Sequence, residues 1–162
     1  MLLQKITKFL TPTLVLWIVV LEMISFSIGF TTKPGMYPWY TDLKKSSFTP
    51  PGYVFGIVWP ILYCSLAIFG YHLYKRVKTP EILVLFKLYC LQMALNWLWS
   101  PVFFNLHLTL AALIILILIV SINAYIILRL IKIKSSAYYI IVPYFLWICF
   151  ALYLNLVIVA IN

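Results

Sequence analysis

The sequence has very few acidic residues and little charge of any kind. Of its 162 residues, three are Asp or Glu and 9% are charged, whereas about 25% of an average soluble domain is charged. So little charge cannot cover a soluble domain of this size, and it excludes intrinsic disorder, because disordered chains are polar and highly charged. The net charge is +9, but the cations lie at the ends of apolar segments, as membrane topology signals do. We therefore predict no nucleic-acid partner.

Cysteine and histidine are also scarce, which limits metal and disulfide chemistry. The three cysteines, Cys64, Cys90 and Cys149, all lie inside apolar segments, and an odd number so placed gives no disulfide framework. None of their spacings matches a zinc or haem-attachment motif, so we expect no metal site and no resident cofactor. His72 and His107 lie at the ends of apolar segments. We interpret them as interfacial side chains, with ligation of a haem iron as the alternative.

Apolar residues are abundant instead. They make up 65% of the chain, and its mean hydropathy is +1.09. One membrane crossing needs about 20 apolar residues, and the apolar segments are continuous rather than alternating, which excludes a β-barrel. We predict an all-α integral membrane protein that forms a five-transmembrane-helix bundle. It is a single domain over residues 1–162, with helices at about 12–30, 51–74, 82–104, 108–130 and 137–161.

The segments between the predicted helices indicate orientation and a lid. Nine Lys and Arg, Lys5 and Lys8 among them, lie on the side of the N-terminus and three on the other. The positive-inside rule then places the N-terminus in the cytoplasm and the connection 31–50 outside. A connection this long in a small protein is usually functional or disordered. Its aromatic residues favour an ordered lid over a linker: Tyr37, Trp39, Tyr40 and Phe48.

Polar residues inside a membrane span are candidates for function. In the third helix Gln92, Asn96 and Ser100 are spaced by four and share one helix face. This face is either an interhelical hydrogen-bond seam or the wall of a ligand cavity. Two other helices bring similar residues toward the interior: Tyr53, Trp59 and Tyr63 in the second, and Tyr144, Trp147, Ala151 and Asn155 in the fifth. A cavity walled by such rings suits a large, flat, apolar ligand.

Three separate motifs resemble those of the TspO/MBR family of tryptophan-rich sensory proteins, which are similar to the mitochondrial translocator protein. They occur in the family's order and span most of the chain. The first is Trp39-Tyr40-Thr41-Asp42-Leu43-Lys44-Lys45 followed by Thr49-Pro50-Pro51-Gly52-Tyr53-Val54-Phe55-Gly56 with Trp59; the second is Leu95-Asn96-Trp97-Leu98-Trp99-Ser100-Pro101; the third is Pro143-Tyr144-Phe145-Leu146-Trp147 with Ala151 and Asn155.

The resemblance implies a five-helix bundle, often a homodimer, in which porphyrins, haem or related tetrapyrroles bind as ligands. It implies a membrane receptor or sensor in a bacterial cell envelope, where it takes part in transport or regulation of such ligands. Carried over by motif, the predicted ligand-binding residues are Trp39, Tyr40, Pro51, Phe55, Trp59, Tyr63, Gln92, Asn96, Trp99, Phe103, Trp147, Ala151 and Asn155.

The sequence contains no nucleotide-binding loop, zinc-protease motif or nucleophile elbow, so nothing in it indicates an ordinary enzyme. The resemblance implies one activity, light-dependent breakdown of protoporphyrin, for which Tyr40 and Trp147 occupy the positions of the catalytic aromatics. Two alternatives are a carrier that moves apolar or tetrapyrrole ligands across the membrane and a structural partner subunit. Flux in sealed vesicles would distinguish a carrier from a sensor.

The chain departs from the family pattern in two places. The family has a Lys-Pro-aromatic step before its Pro-Pro pair, whereas this chain has Lys45-Ser46-Ser47-Phe48, which removes a rigid turn from the lid. After Asn155 the chain has Val159 and Ala160 near the place where animal members carry the Tyr and Arg of a sterol motif. The second departure favours a tetrapyrrole ligand over a sterol.

Overall fold

The computed structural model describes residues 11–162, which contain helices and no strand. Five helices are long and apolar enough to cross a membrane, so the predicted all-α, five-helix architecture is confirmed. Lys5 and Lys8, which contribute to the predicted orientation, lie outside the described residues. The helices are α1 (Pro12–Met36), a short α2 (Trp39–Asp42), α3 (Gly52–Tyr74), α4 (Pro80–Ser100), a π-helix (Pro101–Asn105) that continues α4, α5 (Thr109–Lys132) and α6 (Tyr138–Ile161).

Local sequence explains where several helices begin. The Thr11 hydroxyl accepts a hydrogen bond from the Leu14 amide at 3.3 Å, and the Thr79 hydroxyl accepts one from Ile82 at 3.4 Å. In both cases a proline follows the capping threonine, and its fixed φ and missing N–H suit the first helical position. At the C-terminal end of α5, Arg129 and Lys132 in the last turn complement the helix dipole.

The first helix is longer than its sequence predicts. The predicted lid begins at residue 31, because Lys33-Pro34-Gly35 is typical of a loop, but α1 continues to Met36. A proline costs a helix one hydrogen bond, and neighbouring helices make this tolerable in membrane proteins. Gly35 packs so closely against the π-helix that an added Cβ would lie 2.3 Å from the Phe104 carbonyl oxygen. The lid is therefore residues 37–51, with α2 inside it.

The five long helices form a closed ring. Helix α1 packs on α3, α3 on α6, α6 on α5, α5 on α4, and α4 packs on both α1 and α3. The π-helix contacts α1 and α5 at the lid end of the bundle. In this arrangement α3, α4 and α6 meet in the packed core of the bundle, and they carry most of the predicted ligand residues.

Candidate functional site

A buried hydrogen-bond network joins four helices in the interior of the bundle. The Tyr63 hydroxyl donates to Asn96 Oδ1 at 2.5 Å, and Asn96 Nδ2 donates to the Tyr144 hydroxyl at 3.0 Å. The Tyr144 hydroxyl donates in turn to Gln92 Oε1 at 2.9 Å, which also accepts from Asn123 Nδ2 at 3.3 Å. All five side chains are buried. Because unpaired polar groups are costly in this environment, the network fixes how α3, α4, α5 and α6 rotate against one another.

The predicted polar face of the third helix therefore forms an interhelical hydrogen-bond seam. Gln92 and Asn96 take part, whereas Ser100 lies half-buried one turn farther along α4. Asn123 is the member that the sequence reading missed, because it lies in the most uniformly aliphatic helix. The sequence does indicate Asn123, because a side-chain amide within a run of Ile and Leu is a polar residue inside a membrane span and so a candidate for function.

Aromatic rings lie one to two helical turns from this network, toward the lid. The Phe55 and Trp147 ring centroids are 5.7 Å apart, as are those of Trp59 and Tyr63. Trp147 also contacts Phe150 at 5.8 Å. Its indole Nε1 is buried and has no hydrogen-bond partner among the described residues. This side of α3 and α6 thus presents aromatic rings packed edge-on or tilted against one another, together with a donor that remains available.

A second aromatic cluster lies where the lid meets the π-helix. Trp39 stacks on the His107 ring at 4.1 Å and meets the Phe103 ring edge-on at 5.5 Å. Tyr40 packs on Phe103 at 6.0 Å and on Phe104 at 5.4 Å. Burial raises the pKa of Tyr40, so its phenol is neutral at physiological pH. The lid is therefore an ordered, packed element, as its aromatic content predicts.

Trp99 and Asn155 connect this lid cluster to the fifth spanning helix. Trp99 stacks on Phe103 at 5.0 Å, and its Nε1 donates to Asn155 Oδ1 at 3.3 Å. Asn155 Nδ2 donates to the Thr109 carbonyl at 3.1 Å. Both polar groups of the Asn155 amide are thus bonded within the protein, so this residue positions α6 against the start of α5.

Lys45 holds the lid in its folded shape. Its Nζ donates to the carbonyls of Tyr40, Thr41 and Leu43 at 2.7, 3.1 and 2.9 Å and lies 4.8 Å from the Tyr40 ring centroid. These carbonyls belong to the end of α2 and the residue after it, so the ammonium both caps the short helix and complements its dipole.

Replacing Lys45 with methionine should therefore open the lid. Hydrogen bonds to a charged donor contribute about 1.5–3 kcal/mol each, so losing three of them should speed amide exchange in residues 39–45 at least about tenfold. Hydrogen–deuterium exchange by mass spectrometry measures this directly. Lys44→Met removes the same charge from the adjacent position, where the side chain is exposed, and should leave exchange nearly unchanged. Equal exchange in the two variants would contradict the role assigned to Lys45.

Further contacts attach the lid to α6. The Lys44 amide donates to Asn162 Oδ1 at 2.9 Å, and Asn162 Nδ2 donates back to the Lys44 carbonyl at 3.0 Å. The hydroxyls of Ser46 and Tyr153 lie 3.0 Å apart, and Phe48 meets the Tyr153 ring at 6.4 Å. Ser46, which lies where the chain departs from the family pattern, therefore contributes an attachment of its own.

The structure sorts the predicted ligand residues into two groups. Phe55, Trp59, Tyr63, Gln92, Asn96 and Trp147 lie in the interior, and Trp39, Tyr40, Trp99, Phe103 and Asn155 lie at the junction of lid, π-helix and α6. Ala151 is half-buried one turn after Trp147, and Pro51 is exposed at the start of α3. Tyr53 was predicted to face the interior, but it is 70% exposed. That prediction is wrong because Tyr53 lies six residues before Trp59, which turns it to another face of the helix.

Tyr40, Trp147 and the two histidines lie at separate places in the bundle. Tyr40 and Trp147 make separate ring contacts, Tyr40 within the lid cluster and Trp147 in the interior. His107 is engaged by Trp39 and by the Gly35 carbonyl oxygen, 2.9 Å from its Nε2. His72 lies at the opposite end of the bundle with its Nε2 2.8 Å from Arg76 Nη1. In residues 11–162 no three His, Cys, Asp or Glu side chains are grouped as metal ligands.

These features define a small multi-pass integral membrane protein with an aromatic, hydrogen-bonded interior beneath a folded lid. Comparison with known proteins identifies its family. The TspO/MBR family matches residues 15–161, and the chain belongs to this family, as its three motifs indicate.

Three relatives illustrate the range of the match. The chain is similar to the tryptophan-rich protein TspO of Archaeoglobus fulgidus, with 33% identity over 148 residues that cover 86% of this chain and 90% of the relative. It is 34% identical to the protein of the same name from Chlorobaculum tepidum over 137 residues, 82% of this chain and 84% of that one. It is 34% identical to the human translocator protein over 119 residues, 72% and 70% of the two chains.

Proposed function

We propose that this protein is a membrane receptor or sensor that binds a porphyrin, haem or a related tetrapyrrole between α3, α4 and α6 beneath the lid. The observation that carries the proposal is the indole N–H of Trp147, which is buried without a partner beside the Phe55 ring. An unpaired buried donor is costly. A flat ligand with acceptor groups would supply its missing partner and stack on the neighbouring rings.

Asn96 gives the proposed site a second polar contact. The side-chain amide of Asn96 is bonded to the hydroxyls of Tyr63 and Tyr144. A ligand acceptor that takes the Asn96 Nδ2 hydrogen would displace Tyr144, whose hydroxyl keeps Gln92 Oε1 as an acceptor. The exchange adds no unpaired polar atom to the two that the network already has, Gln92 Nε2 and Asn123 Oδ1, so it costs little.

The ligand would reach this site from within the membrane. A multi-pass protein of this family in a bacterial cell envelope, acting as a homodimer, would take a hydrophobic tetrapyrrole directly from the bilayer. Light-dependent breakdown of the bound porphyrin would be an additional activity. The separate locations of Tyr40 and Trp147 mean that the lid would have to rearrange for both rings to act on one ligand.

A titration of the detergent-purified protein with protoporphyrin IX in darkness, followed by tryptophan quenching, tests the proposal. We expect saturable binding that Trp147→Ala and Asn96→Ala each weaken roughly five- to 150-fold, because a stacking or amide contact contributes about 1–3 kcal/mol. Trp17→Ala is the matched control. Trp17 packs on Tyr74 and Phe86 near the far end of the bundle, so its replacement should leave affinity unchanged.

Two outcomes would overturn the proposal. In the first, protoporphyrin does not saturate the protein; in the second, Trp147→Ala and Asn96→Ala bind as the unaltered protein does. Either result would leave the buried network with a structural role alone.

A further inference from the structure

Of the three acidic residues in the sequence, only Glu22 lies deep inside a membrane span. Asp42 belongs to the lid, and Glu81 lies in the first turn of α4. Glu22 lies ten residues after the start of α1, which is about 15 Å along the helix and near the middle of a bilayer. An ionisable group at this depth is costly and is a candidate for function. The buried hydrogen-bond network and the proposed tetrapyrrole site do not include it.

The carboxyl group of Glu22 lies where α1 packs on α3. Cys64 Sγ donates to Glu22 Oε1 at 3.4 Å, and a thiol is a weak donor. Tyr63, the preceding residue of α3, is also close enough to interact with the charge of this carboxyl. Glu22 is only half-buried. Because α1 is a spanning helix, the carboxyl can be reached from the bilayer.

The described part of the chain supplies no cation to this carboxyl. The one ion pair in residues 11–162 joins Arg129 to Glu81. Neither α1 before Lys33 nor α3 before His72 contains a cation. Lys33 is eleven residues after Glu22, which is about 16 Å along the helix. Since an unpaired carboxylate inside a membrane is costly, the carboxyl holds either a proton or a cation from outside the chain.

Exposed apolar side chains lie beside the contact between Glu22 and Cys64. Phe26 is one turn after Glu22 on α1, and Ile61 is one turn before Cys64 on α3; both are exposed. Successive spanning helices run in opposite directions, so both side chains lie on the lid side of the carboxyl. An added Cβ at Gly29, one further turn along α1, would meet nothing within 4 Å. The surface next to the carboxyl is therefore apolar and open.

We propose that Glu22 binds a hydrophobic organic cation at the lipid-facing junction of α1 and α3, with the apolar groups of the cation against Phe26 and Ile61. The charge must be shielded by apolar groups, as in a tertiary or quaternary ammonium or a phosphonium, because a small hydrated ammonium would lose its water here. The exposed Phe26 ring adds a cation–π contact. A second copy of the chain is disfavoured as the occupant, because an isologous contact over this face would bring two like carboxyls together and supply no cation.

Equilibrium dialysis of the detergent-purified full chain with tetraphenylphosphonium, against protein-free micelles, tests the proposal. In mildly alkaline buffer, where a proton competes least, we expect one saturable site. Glu22→Gln keeps the shape of the side chain and removes its charge, so it should weaken binding at least about tenfold. Asp42→Asn removes an exposed carboxylate from the lid and should leave the affinity unchanged. Trp147→Ala, which changes the proposed tetrapyrrole site, should also leave it unchanged.

Tetraphenylborate is the matched control ligand, because it has nearly the same size and shape as tetraphenylphosphonium and the opposite charge. The chain carries a net charge of +9, so non-specific attraction favours the borate over the phosphonium. Glu22→Gln should therefore weaken the binding of tetraphenylphosphonium and not that of tetraphenylborate. Circular dichroism and gel filtration of each variant confirm that it is folded.

Four results contradict the proposal. The first is the absence of saturable tetraphenylphosphonium binding, as expected of a carboxyl that holds only a proton. The second is equal affinity in Glu22→Gln and the unaltered protein. The third is an equal loss in Glu22→Gln and in either Asp42→Asn or Trp147→Ala, which would place the cation elsewhere. The fourth is an equal loss of phosphonium and borate binding in Glu22→Gln, which would indicate altered packing of α1 on α3 and no charge pair.

Discussion

Replacing Tyr144 with alanine should lower the free energy of unfolding by about 3–5 kcal/mol, the range for a large aromatic side chain removed from a core. Tyr144 is fully buried and bonds to two residues of α4 through one hydroxyl. Its loss would leave a cavity, remove the acceptor of Asn96 Nδ2 and remove one of the two donors to Gln92 Oε1, and water cannot readily replace these bonds inside a membrane. Steric trapping of the protein in bicelles measures the free energy directly.

Two further variants test the origin of this loss: one distinguishes the contribution of the Tyr144 ring from that of its hydroxyl, and the other is a control at an exposed position. Tyr144→Phe keeps the ring and removes the two hydrogen bonds, so we expect a smaller loss of about 1–3 kcal/mol. Tyr139→Ala, five residues earlier on the same helix, removes a side chain that is 67% exposed and should change stability by less than about 0.5 kcal/mol. If Tyr144→Ala and Tyr139→Ala had the same free energy of unfolding, the buried hydrogen-bond network around Tyr144 would contribute little to the stability of the fold.

Composition and hydropathy were sufficient to predict the spanning helices, because crossing a bilayer demands a long apolar segment. The predicted third and fourth helices differ from the observed ones by a few residues. The end of α1 could not be predicted in the same way. Lys33-Pro34-Gly35 is locally a loop sequence, and the helix continues through it where Gly35 lies directly against Phe104. A tertiary contact of this kind leaves no periodic pattern in the sequence.

The candidate site was predictable as a set of residues but not as a set of contacts. Spacing correctly placed Asn96, Tyr144 and Trp147 toward the interior. It could not show that Asn96 bonds to tyrosines on both neighbouring helices, because that depends on how α3 and α6 rotate against α4. The same rotation leaves the Trp147 indole unpaired. The role of Lys45 within the lid could not be predicted from the sequence either, because its partners are backbone carbonyls, which every residue type has.

Replacing Gly70 with alanine should destabilise the protein by about 1–3 kcal/mol, although alanine is the better helix former. Gly70 lies on α3 where it meets α4, and an added Cβ would lie 2.4 Å from Tyr89 Cζ and 2.5 Å from its hydroxyl. Tyr89 cannot easily move, because its ring is buried against Phe69 at 5.9 Å and its hydroxyl donates to the Leu66 carbonyl. The methyl group must therefore separate α3 from α4.

Gly56 on the same helix is the matched control, since an added Cβ there would meet nothing within 4 Å. Gly56→Ala should leave stability unchanged or raise it by up to about 1 kcal/mol, the difference in helix propensity. If Gly56→Ala raises stability and Gly70→Ala lowers it, the loss at Gly70 comes from the contact with Tyr89 and not from the helix propensity of alanine. Adding Tyr89→Leu to Gly70→Ala removes the ring that the methyl group strikes, so the double variant should lose less stability than the sum of the two single changes. Strict additivity would show that Gly70 is required for some reason other than the close approach of α3 to α4.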